Sequence, residues 1–175
     1  IKPIKPISFD EKKREIIFEF TEHTQTLRDK AFQDGISYST FRELGKALAS
    51  IHAKLNKKIE VEGFIYGDFS LNNILVGNNC MHLADFELNK GWKNYKGPLY
   101  RDLAAMSYSC SAIPAKKILS WKINPKIAEY WLLRGYDEQS KEPLDYGRFL
   151  KEKYKFFVSS SSGLIRSNLM RKDLK

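Results

Sequence analysis

Between Tyr66 and Glu87 the chain reads YGDFSLNNILVGNNCMHLADFE, and this stretch constrains the fold more than any other. Its second half predicts two short strands, about Asn73 to Val76 and Met81 to Ala84, around a Gly77-Asn78-Asn79 turn. Glycine and asparagine tolerate the positive φ of a tight hairpin, so that triplet between two apolar runs marks a turn. A hairpin returns the chain to its starting point. It therefore brings Asn73, at the head of the first strand, back toward Asp85, just past the second. Asp68 stands five residues before Asn73.

These three polar side chains sit in an apolar frame of Ile74, Leu75, Val76, Leu83, Ala84 and Phe86. One carboxylate, Asp68, is placed to accept a proton. An amide and a second carboxylate, Asn73 and Asp85, suit a hard cation, because Mg²⁺ takes oxygen ligands and keeps several of its waters. Phosphoryl transfer asks the protein for little more: a placed acceptor hydroxyl, a proton acceptor, and cations that neutralise phosphate charge. Leu75 would present an apolar floor for a purine ring near the same place. Each residue alone has a plain structural reading as a turn or strand-end polar group. Their joint spacing carries the chemical one.

The flanking sequence predicts a mixed, mostly helical chain. Residues 7–10 and 15–20 predict two strands around the charged turn Asp10 to Arg14, the second β-branched and aromatic. A polar stretch follows, with Asp34-Gly35 as a turn signal. Thr40-Phe41-Arg42-Glu43 matches a capping box, and Phe41, Leu44, Leu48, Ile51 and Leu55 recur at helical spacing. A second helix is predicted from Pro98, with Leu99, Leu103, Met106, Cys110 and Ile113 inward. A third has Asn124 as cap, Pro125 at its first position and Gly135 as its stop. A fourth starts at Asp145, with Tyr146, Phe149, Leu150, Tyr154 and Phe157 inward and the charges at 148–155 solvated. Ser159 to Ser162 and Gly163 read as a linker, before a basic, mildly amphipathic end.

Composition narrows the partners. An apolar share of 42% is enough for a core in 175 residues. The net charge of +9 would suit nucleic acid, but Lys and Arg are dispersed and no nucleic-acid motif is present, so specific nucleic-acid binding is the weaker reading. Nucleotides, phosphorylated sugars and anionic lipid headgroups suit a basic surface equally. Cys80 and Cys110 have no metal or redox spacing, and His23, His52 and His82 form no zinc pattern. His52, on the inward side of its helix, is expected to be a hydrogen-bonded structural residue. Trp92, Trp121 and Trp131 are expected in the core or at its rim. No run approaches the ~20 apolar residues of a membrane span.

The run Gly67-Asp68-x4-Asn73-Ile74-Leu75, followed by Asp85-Phe86-Glu87, resembles the catalytic and metal-binding loops of the protein-kinase-like superfamily. Within it the segment is most similar to the small-molecule kinases: aminoglycoside and choline phosphotransferases and the lipopolysaccharide sugar kinases. Phe18-Glu19-Phe20-Thr21 falls where that family has its hinge, the helix ending in Ser50-Ile51-His52 where it has the long helix before the catalytic loop, and Arg101-Asp102-Leu103 where it has the helix after the metal motif. The resemblance covers about residues 7–113 and is specific over 66–87. It implies an α+β, protein-kinase-like fold: residues 1–22 as a remnant of the small-lobe hairpin and hinge, 23–158 as a mostly helical large lobe with short hairpins, and 159–175 as linker and basic tail. It implies Asp68 as catalytic base, Asn73 and Asp85 as Mg ligands, Glu19 and Thr21 as backbone partners of adenine, and Leu75 packed on the ring. It also implies that Asp102 grips the backbone of the catalytic loop.

The implied activity is ATP- and Mg-dependent transfer of a γ-phosphate to a hydroxyl of a small molecule, sugar or lipid-linked glycan, in the cytoplasm or at the inner membrane surface. Tyr66 stands where the family usually has His, a position expected to be structural. Glu87 stands where protein kinases have Gly. No Gly-rich phosphate loop, strand Lys or helix Glu can be placed before Ile7, so a small lobe or a partner is expected to complete the site. That absence keeps open a pseudokinase or nucleotide-binding interaction module. A tRNA-modifying KEOPS-type kinase or ATPase is a third reading, which Glu87 does not match.

Overall fold

The computed structural model describes residues 2–3, 6–10, 15–18, 25–55, 62–64, 66–77, 80–84, 96–112 and 120–160. In chain order the elements are β1 (Lys2–Pro3), β2 (Pro6–Asp10), β3 (Glu15–Phe18), β4 (Gln25–Thr26), α1 (Leu27–Gln33), α2 (Tyr38–Leu55), β5 (Glu62–Phe64), a 3-10 turn (Leu71–Asn73), β6 (Ile74–Gly77), β7 (Cys80–Leu83), β8 (Lys96–Pro98), α3 (Tyr100–Ser111), α4 (Pro125–Gln139) and α5 (Tyr146–Ser160). The class is α+β, as expected. β2 and β3 pair antiparallel, with Phe9 opposite Ile16 and Asp10 opposite Glu15. The expected hairpin forms: β6 and β7 pair antiparallel from Ile74–Leu83 to Gly77–Cys80. The strands at its two sides were not anticipated. β4 adds to β6, and β1 adds parallel to β7, giving a sheet of order β1-β7-β6-β4.

Helix α1 was also missed. Its start is written in Thr26-Leu27-Arg28-Asp29: the Thr26 hydroxyl oxygen accepts from the Asp29 N–H at 3.0 Å and donates to the Asp29 carboxylate at 2.6 Å. Helix α2 begins two residues before Thr40. Ser37 does the capping, its hydroxyl accepting from the Ser39 N–H at 3.3 Å and its carbonyl from the Thr40 N–H at 3.0 Å. The expected Thr40–Glu43 box is therefore not formed, and Glu43 pairs with Lys46 at 3.1 Å instead. The cap of α4 is as expected. Asn124 Oδ1 accepts from the N–H groups of Lys126 (3.0 Å) and Ile127 (3.4 Å), with Pro125 at the first position.

The main layer contact is α2 against α4. Phe41, Leu44 and Leu48 of α2 are fully buried with Leu132 and Tyr136 of α4, Leu103 and Met106 of α3, and Phe149 of α5. The crossing is backbone on backbone. A Cβ at Gly45 would lie 2.1 Å from the Leu132 carbonyl oxygen, and one at Gly135 would lie 1.9 Å from that of Arg42. Gly135 is thus not the stop of α4, which runs on to Gln139. It is a glycine because another helix occupies the space a side chain would need. Gly135→Ala is expected to destabilise the chain by about 3 kcal/mol, since overpacking outweighs the ~0.5–1 kcal/mol helix-propensity gain. The control is Gly147→Ala, where a Cβ meets only Asp145 Oδ1 at 3.4 Å and little change is expected. Urea unfolding of the two variants checks this, and equal midpoints would refute the crossing.

Helix α5 turns Phe149 and Phe157 inward as expected, but the rest of its inward face differs. Phe149 is buried and Phe157 packs edge-on to Tyr108 of α3, with ring centroids 5.0 Å apart. Tyr146, Leu150 and Tyr154, expected inward, are 53%, 44% and 63% exposed. The inward set instead includes Lys153, whose ammonium reaches Glu129 at 2.5 Å, and Phe156, which lies under the Arg101 guanidinium at 5.3 Å. Lys153 buries its stem beside aromatics while its charge is paired, so part of the face expected to be solvated is not. Ser159 and Ser160 continue α5 rather than opening a linker. Residues 161–175 lie outside the described residues. Trp121 and Trp131 are half-buried at the core rim, while Trp92 falls outside the described residues.

Candidate active site

The loop 66–73 links the β5 region to β6 and packs against α1 and α3. Phe69, Ser70 and Leu71 are buried in the core, while Asp68 before them and Asn72 after them face out. The Leu71 N–H donates to the hydroxyl of buried Ser109 on α3 at 2.9 Å. The Asn73 N–H donates to the Ser70 carbonyl at 3.1 Å, closing the 3-10 turn. Gly67 has φ +97°, a left-handed conformation that favours glycine, and it turns the chain immediately before Asp68.

Asp102, in the first turn of α3, fastens the start of this loop. Its side chain is fully buried. Oδ2 accepts from the Tyr66 N–H at 2.7 Å and Oδ1 from the Gly67 N–H at 2.7 Å. Oδ2 also lies 3.0 Å from His52 Nε2, at the end of α2. A buried carboxylate is tolerable only when its oxygens are satisfied, and here three donors converge on it. His52 Nδ1 lies 2.9 Å from the Tyr136 hydroxyl of α4. Burial raises the Tyr136 pKa, with Tyr100 and Asp102 adding to the effect, so that hydroxyl keeps its proton. The grip on the loop backbone and the structural role of His52 are both as expected.

The loop then presents Asp68. The buried Asn73 amide donates through Nδ2 to the Asp68 carbonyl at 3.0 Å and to Asp68 Oδ2 at 2.8 Å. A cation-binding role for Asn73 needs its other amide atom. Both hydrogen bonds use the NH₂ group, which leaves the oxygen, the hard ligand, for a cation. The Asn73 amide thus fits the metal-ligand role expected of it, while its expected partner Asp85 lies outside the described residues. Among the described residues no group of three or more His, Cys, Asp or Glu gathers as a metal cluster. The end of β7 is tied to the same loop: the Ala84 N–H donates to the Asn73 carbonyl at 2.9 Å, and the Tyr66 hydroxyl donates to the Ala84 carbonyl.

Of the residues singled out in the sequence, Asp68 and Asn73 are brought into contact. Leu75 is half-buried on β6, opposite Thr26 of β4 and His82 of β7. Glu19, Thr21, Asp85 and Glu87 lie outside the described residues, as do His23 and Ile113. Ser109 and Tyr136 were missed. The signal for Ser109 was a serine beside the apolar stripe of α3; Tyr136 gave none. Cys110 is a free, buried thiol whose pKa is pushed up to about 12 by burial and by nearby Glu129, which makes it a core residue and not a nucleophile.

No family model and no curated protein sequence matches the chain. Among solved structures it is similar to a glucosamine kinase, at 12% identity and a TM-score of 0.49, over 82% of this chain and 50% of that one. It is also similar to choline kinase LicA from Streptococcus pneumoniae, at 14% identity and a TM-score of 0.36, over 90% of this chain and 75% of that one. The chain spans about half the length of the glucosamine kinase it matches. No helix among the described residues is long and apolar enough to cross a membrane.

Proposed function

We propose that this chain carries the catalytic loop of an ATP- and Mg-dependent phosphotransferase that phosphorylates a hydroxyl of a small molecule, sugar or lipid-linked glycan. The observation that carries the reading is an outward-facing carboxylate on a loop fixed from two sides. Asp102 holds the backbone at Tyr66 and Gly67, and Asn73 holds Asp68 Oδ2 at 2.8 Å. A rigid, exposed carboxylate is what a general base for a hydroxyl requires: geometry is set in advance and solvent or substrate can reach it. The acceptor hydroxyl would donate its proton to Asp68 as its oxygen attacks phosphorus. Bound magnesium–ATP supplies the phosphoryl group and neutralises the charge that develops on it.

On this reading Asn73 and Asp85 hold the metal, Glu19 and Thr21 offer backbone groups to adenine, and Leu75 packs on the ring. Residues 1–22 are then small-lobe hairpin and hinge, and 23–158 the large lobe. Calorimetric titration with ATP tests the reading first. Saturable binding that tightens about tenfold or more when Mg²⁺ is added is the expected result. Absence of binding heat under both conditions would overturn it. ADP release in the presence of sugars, small alcohols or lipid-linked glycans then identifies the acceptor class.

A further inference from the structure

Two cavities adjoin along α4, and no residue of the loop 66–73 lines either. The first, of about 720 Å³, runs between α4 and α5, where Tyr130, Tyr146 and the buried Leu133 line it. Both tyrosines expose about half of their surface, at 54% and 53%. The second, of about 920 Å³, lies at the start of α4 and has Tyr38, Trp121 and Phe157 among its walls. The two share Lys126, Glu129 and Lys153, so they meet at these three side chains. Aromatic rings thus stand on both sides of a polar centre. Each cavity has the size of a small-molecule site, and two in line suit an elongated ligand.

The charged groups along this trough are largely committed to one another. Glu129 Oε2 accepts from Lys153 Nζ at 2.5 Å and from the Ser107 hydroxyl. Arg134 donates to Glu138 and to the Tyr130 hydroxyl, each at 3.1 Å. Lys122 donates to the Gln33 carbonyl at 2.5 Å, and Asp137 Oδ1 accepts from the Leu144 N–H at 2.7 Å. Among the described cations that line the trough, Lys126 is the one whose side chain has no such partner. A highly charged ligand of either sign gains little from groups already paired. Hydroxyl groups both donate and accept, so they can use what is left: the second carboxylate oxygens of Glu129 and Asp137 and the Lys126 ammonium. Half-exposed tyrosines offer flat faces on which the C–H side of a sugar ring can pack.

We propose that the trough along α4 binds an extended sugar chain, its rings packed on the aromatic side chains and its hydroxyls bonded to Glu129, Asp137 and Lys126. Binding itself stands apart from the phosphotransferase reading. Only its consequence rests on that reading: among the acceptors, a glycan of several units is held on residues outside the catalytic loop. One end of the trough is joined to the loop through α3. The Asp145 N–H, next to Tyr146, donates to the Tyr100 hydroxyl at 2.9 Å, and Asp102 two residues further on clamps Tyr66 and Gly67.

The test begins with the full chain on an array of surface-linked oligosaccharides of varied sugar and linkage, without nucleotide. Saturable binding is expected. Calorimetry with the best-bound oligosaccharide should show affinity rising about tenfold or more from disaccharide to tetrasaccharide, as the second cavity is filled. Tyr130→Ala and Tyr146→Ala are each expected to weaken it about three- to tenfold, the scale of one lost ring face. Tyr130→Phe, which keeps the ring, should stay within about twofold of the wild type on the same scale. The control is Tyr154→Ala: this residue is 63% exposed on α5 but lines neither cavity, so affinity should not change. No binding to any member of the array would overturn the proposal, as would an equal loss in the Tyr154 variant. Sedimentation with anionic phospholipid vesicles, weakened alike by all three alanine substitutions and without glycan binding, would assign this face to a membrane and refute the trough. Because ATP is absent throughout, a failure of nucleotide binding sinks the phosphotransferase reading alone, and the glycan titrations still decide the trough.

Discussion

Asp68→Ala is expected to lower turnover by about two to four orders of magnitude, the usual contribution of a positioned general base. Nucleotide affinity should remain within about twofold, because the carboxylate faces out and holds no part of the core. Folding should be little affected too. The Asn73 amide keeps its bond to the Asp68 carbonyl at 3.0 Å when the side chain is gone, and the N–H that loses Asp68 Oδ2 lies beside an exposed position that water can fill. Asp68→Asn sharpens the comparison. It preserves shape but presents an amide that cannot take a proton, so its loss should approach that of the alanine variant. Single-turnover measurements with saturating nucleotide separate the chemical step from binding. Turnover equal to the wild type in both variants would remove Asp68 from the chemistry.

A larger effect on stability is expected at Asp102. Its two oxygens serve the N–H groups of Tyr66 and Gly67 and the His52 ring, all from a site with no solvent access. Asp102→Ala leaves those donors unsatisfied and opens a cavity beside them, which costs about 3–5 kcal/mol. That is a large part of the ~5–15 kcal/mol that holds a typical domain together. Asp102→Asn is the milder change in volume but not in polarity, since its NH₂ would face one of the same donors. Urea unfolding should therefore place both variants far below the wild type, and the loop should lose its fixed backbone before the helices melt. A shift under about 1 kcal/mol for either variant would show that the loop does not depend on this clamp.

The two sites differ in how readable they were. Asp68 and Asn73 meet because one tight turn joins them, and the amide bonds to the backbone and side chain of a residue five positions away. The β6–β7 hairpin and the Asn124–Pro125 cap are local in the same sense, and both appeared as expected. Thr26-x-x-Asp29 was local as well, but its short helix lay in a stretch judged polar. Asp102 was anticipated through a family resemblance. Its bonds span 36 and 35 residues to the loop and 50 to His52, distances over which spacing says nothing.

The helices make the same division. Helix α5 carries two overlapping apolar stripes, one through Tyr146, Leu150 and Tyr154 and one through Phe149, Phe156 and Phe157, and the inward set expected from the sequence mixed the two. Periodicity shows that such a helix is amphipathic but not which stripe is inward. Tyr108 and Arg101 of α3 choose the second. Gly135 looked like a helix stop because a glycine near a predicted end usually is one. The proximity of the Arg42 carbonyl gives it another cause. Hydrogen bonds within a turn depend on neighbours in the chain, so the β6–β7 hairpin and the cap of α4 announced themselves, and Asp68 and Asn73 stood out as residues although their contact did not. The clamp of Asp102, His52 and Tyr136, the link from Tyr66 to Ala84, and the inward face of α5 depend on which distant surfaces meet, and packing of the helices around a shared core made that choice.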